Sequence, residues 1–315
     1  MENSKQLVSV SGMYRTGSSA LIDVLRGVEN TAVVEHEFKI FESGLYDLIK
    51  KIRINEFEKK VNGLNKTPRL TQKDLSQTSE ILIKYGEKNI AINFLNRICR
   101  GQINALREKK TLFRGYNYCI PNYEFATQTL VTQFSAALEE SRLDAKNISA
   151  ILSNYFSEIA NYISGSRVIF NQLIKVGHEY LPGLLPDFRI LVVMRDPRDH
   201  FCEIVNTSGK KIKYSKNDRA AVFVREYKKR LAEVAPFIAS KNVMLVNFEE
   251  LSLDFEGVLV KLKKFLEFDK FNYNEMNFNR ERAISKVGIY KKHAVKWEID
   301  EVESGLSEYL VEIKK

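Results

Sequence analysis

The sequence predicts an α/β protein: a doubly wound parallel sheet flanked by helices, with a large helical insertion after the second strand. Three observations carry this. Short apolar, β-branched runs without polar alternation recur along the chain, as central strands covered on both faces require. Helical stretches separate them, the pattern of βαβ units. Two of the runs end in loops whose residues suit an anion, at the strand ends where such sheets bind ligands.

Strands are expected at residues 7–11, 168–170 and 189–194, with a weaker pair at 31–34 and 242–246. Helices are expected at 18–26, 219–238 and 255–265. The second strand is expected beside the first. From about residue 40 to 165 the chain turns rich in Lys, Glu, Leu and Asn and reads as amphipathic helices. Within that insertion, residues 62–77 carry Gly63, Pro68 and several hydroxyl residues, a loop composition. The tail, 298–315, reads as a final surface helix. One domain over 1–315 is expected, since no linker composition divides the chain.

Composition narrows the function. Only 15 Gly and 6 Pro in 315 residues, with 44% hydrophobic residues, exclude collagen-like and disordered chains. No apolar run reaches the roughly 18 residues a membrane span needs. Residues 1–5 are polar and lead straight into a strand, unlike a secretion signal, so a cytoplasmic protein is expected. Three cysteines, Cys99, Cys119 and Cys202, have no metal-ligand spacing and read as reduced thiols. No other cluster has metal spacing, and no metal is expected. Lys and Arg outnumber Asp and Glu by 49 to 40, a net charge of +9, which points to an anionic partner. Without an RNP motif, zinc finger or basic zipper, nucleic acid is not the expected one. Oligomeric state has no signal in the sequence.

The sharpest motif is Ser11-Gly12-Met13-Tyr14-Arg15-Thr16-Gly17-Ser18-Ser19, between the first strand and a helix. Gly12 and Gly17 have the spacing of a phosphate-binding loop, which makes the fold P-loop-like. Backbone N–H groups in such a turn converge on an anion, and the helix dipole adds to them. Ser18 stands where an NTPase carries its lysine, and the basic charge sits instead at Arg15. A plain strand–helix turn is the alternative. The second motif is Arg195-Asp196-Pro197-Arg198-Asp199, directly after the most apolar strand. Arg195, nearest the strand end, can grip a phosphate with paired hydrogen bonds. Asp196 or Asp199 can cap the following helix, and Arg–Asp pairs can tie the turn.

Together the two motifs resemble those of the sulfotransferases that use 3′-phosphoadenosine 5′-phosphosulfate (PAPS). That family pairs an early basic–Ser/Thr–Gly–Ser/Thr–Ser/Thr loop with a later strand ending in Arg-Asp-Pro-Arg-Asp. The resemblance implies that Arg15, Thr16, Gly17, Ser18 and Ser19 hold the 5′-phosphosulfate and that Arg195 holds the 3′-phosphate. It continues through Phe248-Glu249-Glu250-Leu251, similar to the family's late Glu-x-Leu turn. Val287-Gly288-Ile289-Tyr290-Lys291 is similar to its C-terminal Gly-x-Trp-Lys segment, with Tyr290 in the tryptophan's place. The likeness spans about residues 5–40 and 166–295. A second position departs: where the family has a serine against the 3′-phosphate, this chain has Glu203, a carboxylate that repels phosphate. Thr207, Ser208, Arg282 and Lys286 are the candidates to compensate.

The resemblance implies transfer of a sulfuryl group from PAPS to a hydroxyl or amine, with 3′-phosphoadenosine 5′-phosphate (PAP) as product. The acceptor it implies is a carbohydrate or small metabolite. Such a transfer rests on positioning and electrostatics, as phosphoryl transfer does. It needs a positive group at the reacting centre, for which Arg15 is the candidate, and a general base. Glu35-His36-Glu37-Phe38 follows the second strand. Some glycan sulfotransferases carry a catalytic glutamate in a Glu-x-x-Phe context, which favours Glu35; others use a histidine, which keeps His36; Glu37 stands beside them. An exposed acidic loop is the alternative. Asn171 and Gln172 end the third strand and either hydrogen-bond an acceptor or cap a helix. His178 and His293 read as packing or surface residues, and His200 lies behind the Arg195 motif.

Two other functions stay open on sequence. A P-loop nucleotide kinase or NTPase lacks its lysine here, and a non-catalytic nucleotide-binding homologue would account for Glu203. A Rossmann dehydrogenase does not fit, because no G-x-G-x-x-G follows a strand.

Overall fold

A computed structural model describes residues 5–13, 15–34, 46, 49–50, 129–130, 133, 145–161, 163–175, 178, 180–207, 218–274, 277–293 and 295–311. Most of the expected insertion, the candidate bases Glu35, His36 and Glu37, and Ser208 lie outside the described residues.

Among the described residues, five strands form one parallel sheet flanked by helices: β1 (Gln6–Gly12), β2 (Thr31–Val34), β3 (Arg167–Asn171), β4 (Phe188–Met194) and β5 (Val243–Asn247). The expected fold class holds. In β1 the residues Val8, Ser9, Val10 and Ser11 are all buried, so both faces are covered, as its unalternating sequence requires. The strand order is β2-β3-β1-β4-β5, which corrects one expectation: β3, not β2, is the neighbour of β1. The connection after β2 is long enough for the chain to return between the first two strands, and no local pattern records that choice. The order reverses at β1, so the ends of β1 and β4 flank the switch point where open α/β sheets bind ligands. β4 and β5 run parallel in register from Ile190 opposite Val243 to Met194 opposite Asn247.

Helices follow the strands in alternation. They are α1 (Ser18–Leu25), α2 (Ala145–Asn161), α3 (Leu181–Leu184), α4 (Pro197–Thr207), α5 (Arg219–Ile238), α6 (Phe248–Leu253), α7 (Phe255–Leu266), α8 (Arg280–Ile284) and α9 (Lys296–Gly305). The described chain divides into two compact units. One takes the described residues within Met1–Leu7, Ala32–Ile174 and Tyr180–Phe188, the other those within Val8–Thr31, Lys175–Glu179 and Arg189–Lys315. In the first, α2 buries Ile148, Leu152, Phe156 and Ile159, and the ring of Phe156 packs edge-on against Phe170 and Phe188 at 5.7 and 5.1 Å.

In the second unit, Met13, Phe201, Cys202, Phe223 and Tyr227 share a core with Ile299, Val302 and Leu306. The tail is therefore not the surface helix expected over 298–315. Helix α9 starts at Lys296, ends at Gly305, and buries Glu298, Ile299 and Val302. Ile299, Val302 and Leu306 recur at helical spacing and form one apolar stripe, which drives that face inward. Among the described residues no helix is long and apolar enough to cross a membrane.

Candidate active site

The site is built on the loop between β1 and α1. Thr16 is wholly buried, and its hydroxyl donates to the Met13 carbonyl at 2.8 Å while its N–H donates to the same oxygen at 3.1 Å. Both polar groups of Thr16 thus shape the turn. Arg15 and Gly17 have φ of 68° and 101°, left-handed values that swing the chain back into α1. A side chain at Gly17 would be strained there, and its Cβ would meet the Phe248 ring at 2.3 Å. At Gly12 a Cβ would lie 2.5 Å from the Thr16 hydroxyl. The glycine spacing is thus dictated by Phe248 on one side and Thr16 on the other. Gly17 caps α1 without a side-chain hydrogen bond, Arg15 and Ser19 are exposed, and Ser18 is half-buried. A helix N-terminus flanked by an exposed arginine and two hydroxyls can hold an anion.

Arg195 closes the loop from β4. Its side chain is buried; NH1 donates to the Arg15 carbonyl at 3.3 Å and NH2 to the Lys286 carbonyl at 2.7 Å. The guanidinium carbon lies 4.9 Å from the centroid of the Phe248 ring, within cation–π range. Its Nε is buried with no hydrogen-bond partner among the described residues. The Glu203 carboxylate stands 3.8 Å from NH1 and 3.4 Å from the Lys286 ammonium. Arg282 is exposed on α8, and Thr207 ends α4.

The rest of the second motif ties this face together. Asp196 caps α4, its Oδ1 accepting the Arg198 N–H at 2.8 Å, with Pro197 at the first helical position. The Arg198 guanidinium grips Asp196 with two bonds of 3.0 and 2.7 Å and stacks over Tyr290 at 4.2 Å. Asp196 also accepts the Val311 N–H at 3.0 Å, so the motif holds the segment that follows α9. Asp199 accepts the N–H groups of Gly288 and Tyr290 at 2.6 and 3.0 Å, fixing the segment that presents Lys286. Burial pushes the Asp199 carboxyl above its usual range, against the pull of those two N–H bonds.

Sequence reasoning missed Phe248 and Glu249 as parts of this site. Glu249 is buried; Oε1 accepts the Asp196 N–H at 3.0 Å, and Oε2 has no hydrogen-bond partner among the described residues. The signal for both was their place at the end of the fifth strand-like run. His200 packs between Phe223 and Tyr227 at 5.5 and 5.8 Å, and His293 pairs with Glu298 at 2.7 Å. His178 is buried, its Nδ1 accepting the Lys175 N–H. In the other unit, Asn171 ends β3 and Gln172 follows it with φ of 57°, both half-buried.

A glycine-turned loop at a helix N-terminus, closed by an arginine from the adjacent strand, defines a P-loop-like α/β fold with its cationic groups gathered at one strand-end switch point. The model of the sulfotransferase family matches residues 8–272, and the chain belongs to that family. None of the curated proteins matches it. Similar solved structures include the sulfotransferase STF9 from Mycobacterium avium, 12% identical, covering 100% of this chain and 78% of that one, with a TM-score of 0.41. The sulfotransferase domain of the Synechococcus PCC 7002 olefin synthase is 13% identical over 100% and 91% of the two chains, with a TM-score of 0.39. Retinol dehydratase in complex with androsterone and inactive cofactor PAP is 13% identical over 98% and 82%, with a TM-score of 0.38.

Proposed function

We propose that this sulfotransferase takes its sulfuryl group from PAPS and passes it to a hydroxyl or amine of a carbohydrate or small metabolite. The observation that carries the reading is the bond from Arg195 to the Arg15 carbonyl, which joins the family's two motifs across 180 residues of chain. Two features fit a bound nucleotide phosphosulfate: the N-cap of α1 is Gly17, which has no side chain to occupy the turn, and the buried Nε of Arg195 lacks a partner among the described residues. When bound, PAPS supplies the sulfuryl group. Arg15, Ser18, Ser19 and the turn at Gly17 hold the 5′-phosphosulfate, and Arg15 places positive charge where negative charge develops during in-line transfer. Thr16 acts through the loop, since its hydroxyl and N–H are both spent on Met13. Arg195 faces the 3′-phosphate, with Lys286 beside it and Ser208 as a further donor. A base drawn from Glu35, His36 and Glu37 removes the acceptor's proton, and Asn171 and Gln172 bind the acceptor.

Calorimetric titration with PAP tests the donor site, with Mg·ATP as control. Each charged hydrogen bond to phosphate contributes about 1.5–3 kcal/mol, so Arg15→Ala is expected to weaken PAP binding at least tenfold. Arg15 is exposed, so its substitution separates ligand contact from folding. Preference for Mg·ATP over PAP would overturn the reading in favour of a nucleotide kinase or NTPase.

A further inference from the structure

Arg195 and Lys286 already face an anion, because the Glu203 carboxylate lies 3.8 Å from one and 3.4 Å from the other. It is no surface ornament: the Glu203 side chain is 14% exposed and that of Arg195 only 3%. Helix α4 aims it there, and Asp199, one turn earlier, holds the Lys286 segment through Gly288 and Tyr290. A phosphate placed against Arg195 would meet two cations and one fixed carboxylate at close range. The repulsion of like charges in a half-buried setting removes most of what the cations offer.

Resting on the donor reading above, in which Arg195 faces the 3′-phosphate, we propose that Glu203 is a specificity-determining residue. It satisfies Arg195 and Lys286 in place of the 3′-phosphate. The donor is then gripped through its 5′-phosphosulfate, and the site accepts adenosine 5′-phosphosulfates with or without a phosphate on the 3′ oxygen.

The experiment titrates PAP and adenosine 5′-monophosphate, which differ only in that phosphate, into the wild-type chain and into Glu203→Ser and Glu203→Gln. Wild type is expected to bind the two nucleotides within about tenfold of each other, and both variants to raise PAP affinity about tenfold or more with the monophosphate little changed. Wild-type preference for PAP beyond tenfold, or a ratio unmoved by both variants, would overturn the proposal. Arg15→Ala separates this failure from that of the donor reading. If it weakens both nucleotides, the loop is the donor site and a failed ratio counts against Glu203 alone. If neither nucleotide binds wild type, the donor reading falls and this inference falls with it. Far-ultraviolet circular dichroism of both variants confirms that they fold.

Discussion

Glu249 illustrates how much a single buried carboxyl can govern. Burial pushes it up from its usual 4.5 to about 7; the N–H bond from Asp196 pulls the other way, and the nearby carboxylates of Asp196 and Asp199 add to the rise. In the unfolded chain it titrates near its ordinary value. Between about 4.5 and 7 the folded protein therefore keeps a proton that the unfolded chain has released. The stability this group contributes is whole below that window and is lost as pH rises through it, a change on the order of 3 kcal/mol. Urea unfolding from pH 4.5 to 8 is expected to show the decline in wild type and a clearly smaller slope in Glu249→Gln. Asp199, raised for the same reason, contributes in the same direction. An unchanged slope in the variant would remove Glu249 as the cause. The sequence marks this glutamate's place after the fifth strand, but its burial under Asp196 depends on a residue 53 positions away.

At the scale of elements, α9 is seated by its buried charge as well as its apolar stripe. Glu298 is wholly buried and receives the guanidinium of Arg219, the first residue of α5, through Nε and through NH2 at 2.8 Å, with His293 at 2.7 Å. Burial works to raise the Glu298 carboxyl, but the hydrogen bonds from Arg219 and His293 outweigh it and hold it below its usual value. Removing one partner of such a pair leaves a charge stranded. Arg219 is partly exposed, so Arg219→Ala is expected to cost about 2–3 kcal/mol in chemical denaturation at pH 7. Arg219→Ala/Glu298→Gln is expected to recover part of the loss, because the stranded charge is gone; equal losses in the single and double variants would refute the pairing. The strands and the helices α1, α5 and α7 were legible within a residue or two, since apolar runs and helical periodicity are local signals. The inward face of α9 was not read from the sequence, because the charged residues between Ile299, Val302 and Leu306 mask their apolar stripe.

For the molecule as a whole, the donor site is a thermodynamic handle. A ligand that binds only the folded chain stabilises it by mass action, about 2.7 kcal/mol at a hundred times its dissociation constant. PAP at that excess is expected to raise the melting temperature by about 5 °C, and the shift is expected to shrink in high salt, which screens exposed Arg15. The same PAP concentration is expected to shift Arg15→Ala by about half as much or less in a thermal melt. A full shift in that variant would place the nucleotide elsewhere on the chain. The net charge of +9 agrees with an anionic ligand but does not locate it.

The sequence by itself determined the α/β class, the five strands, the glycine-turned loop and the arginine at the end of β4. Each is written in residues that neighbour one another in the chain: apolar runs, a Gly–Gly spacing, Arg-Asp-Pro-Arg-Asp. Tertiary structure alone decided that β3 enters between β2 and β1, that Arg195 reaches the carbonyl of Arg15, and that Asp196 holds Val311. It also set Glu203 between two cations, where the sequence recorded only a glutamate out of place. The reason is physical. Local patterns report which surface of an element is apolar and where the backbone turns, whereas a charge's partners are chosen by packing between segments far apart in the chain.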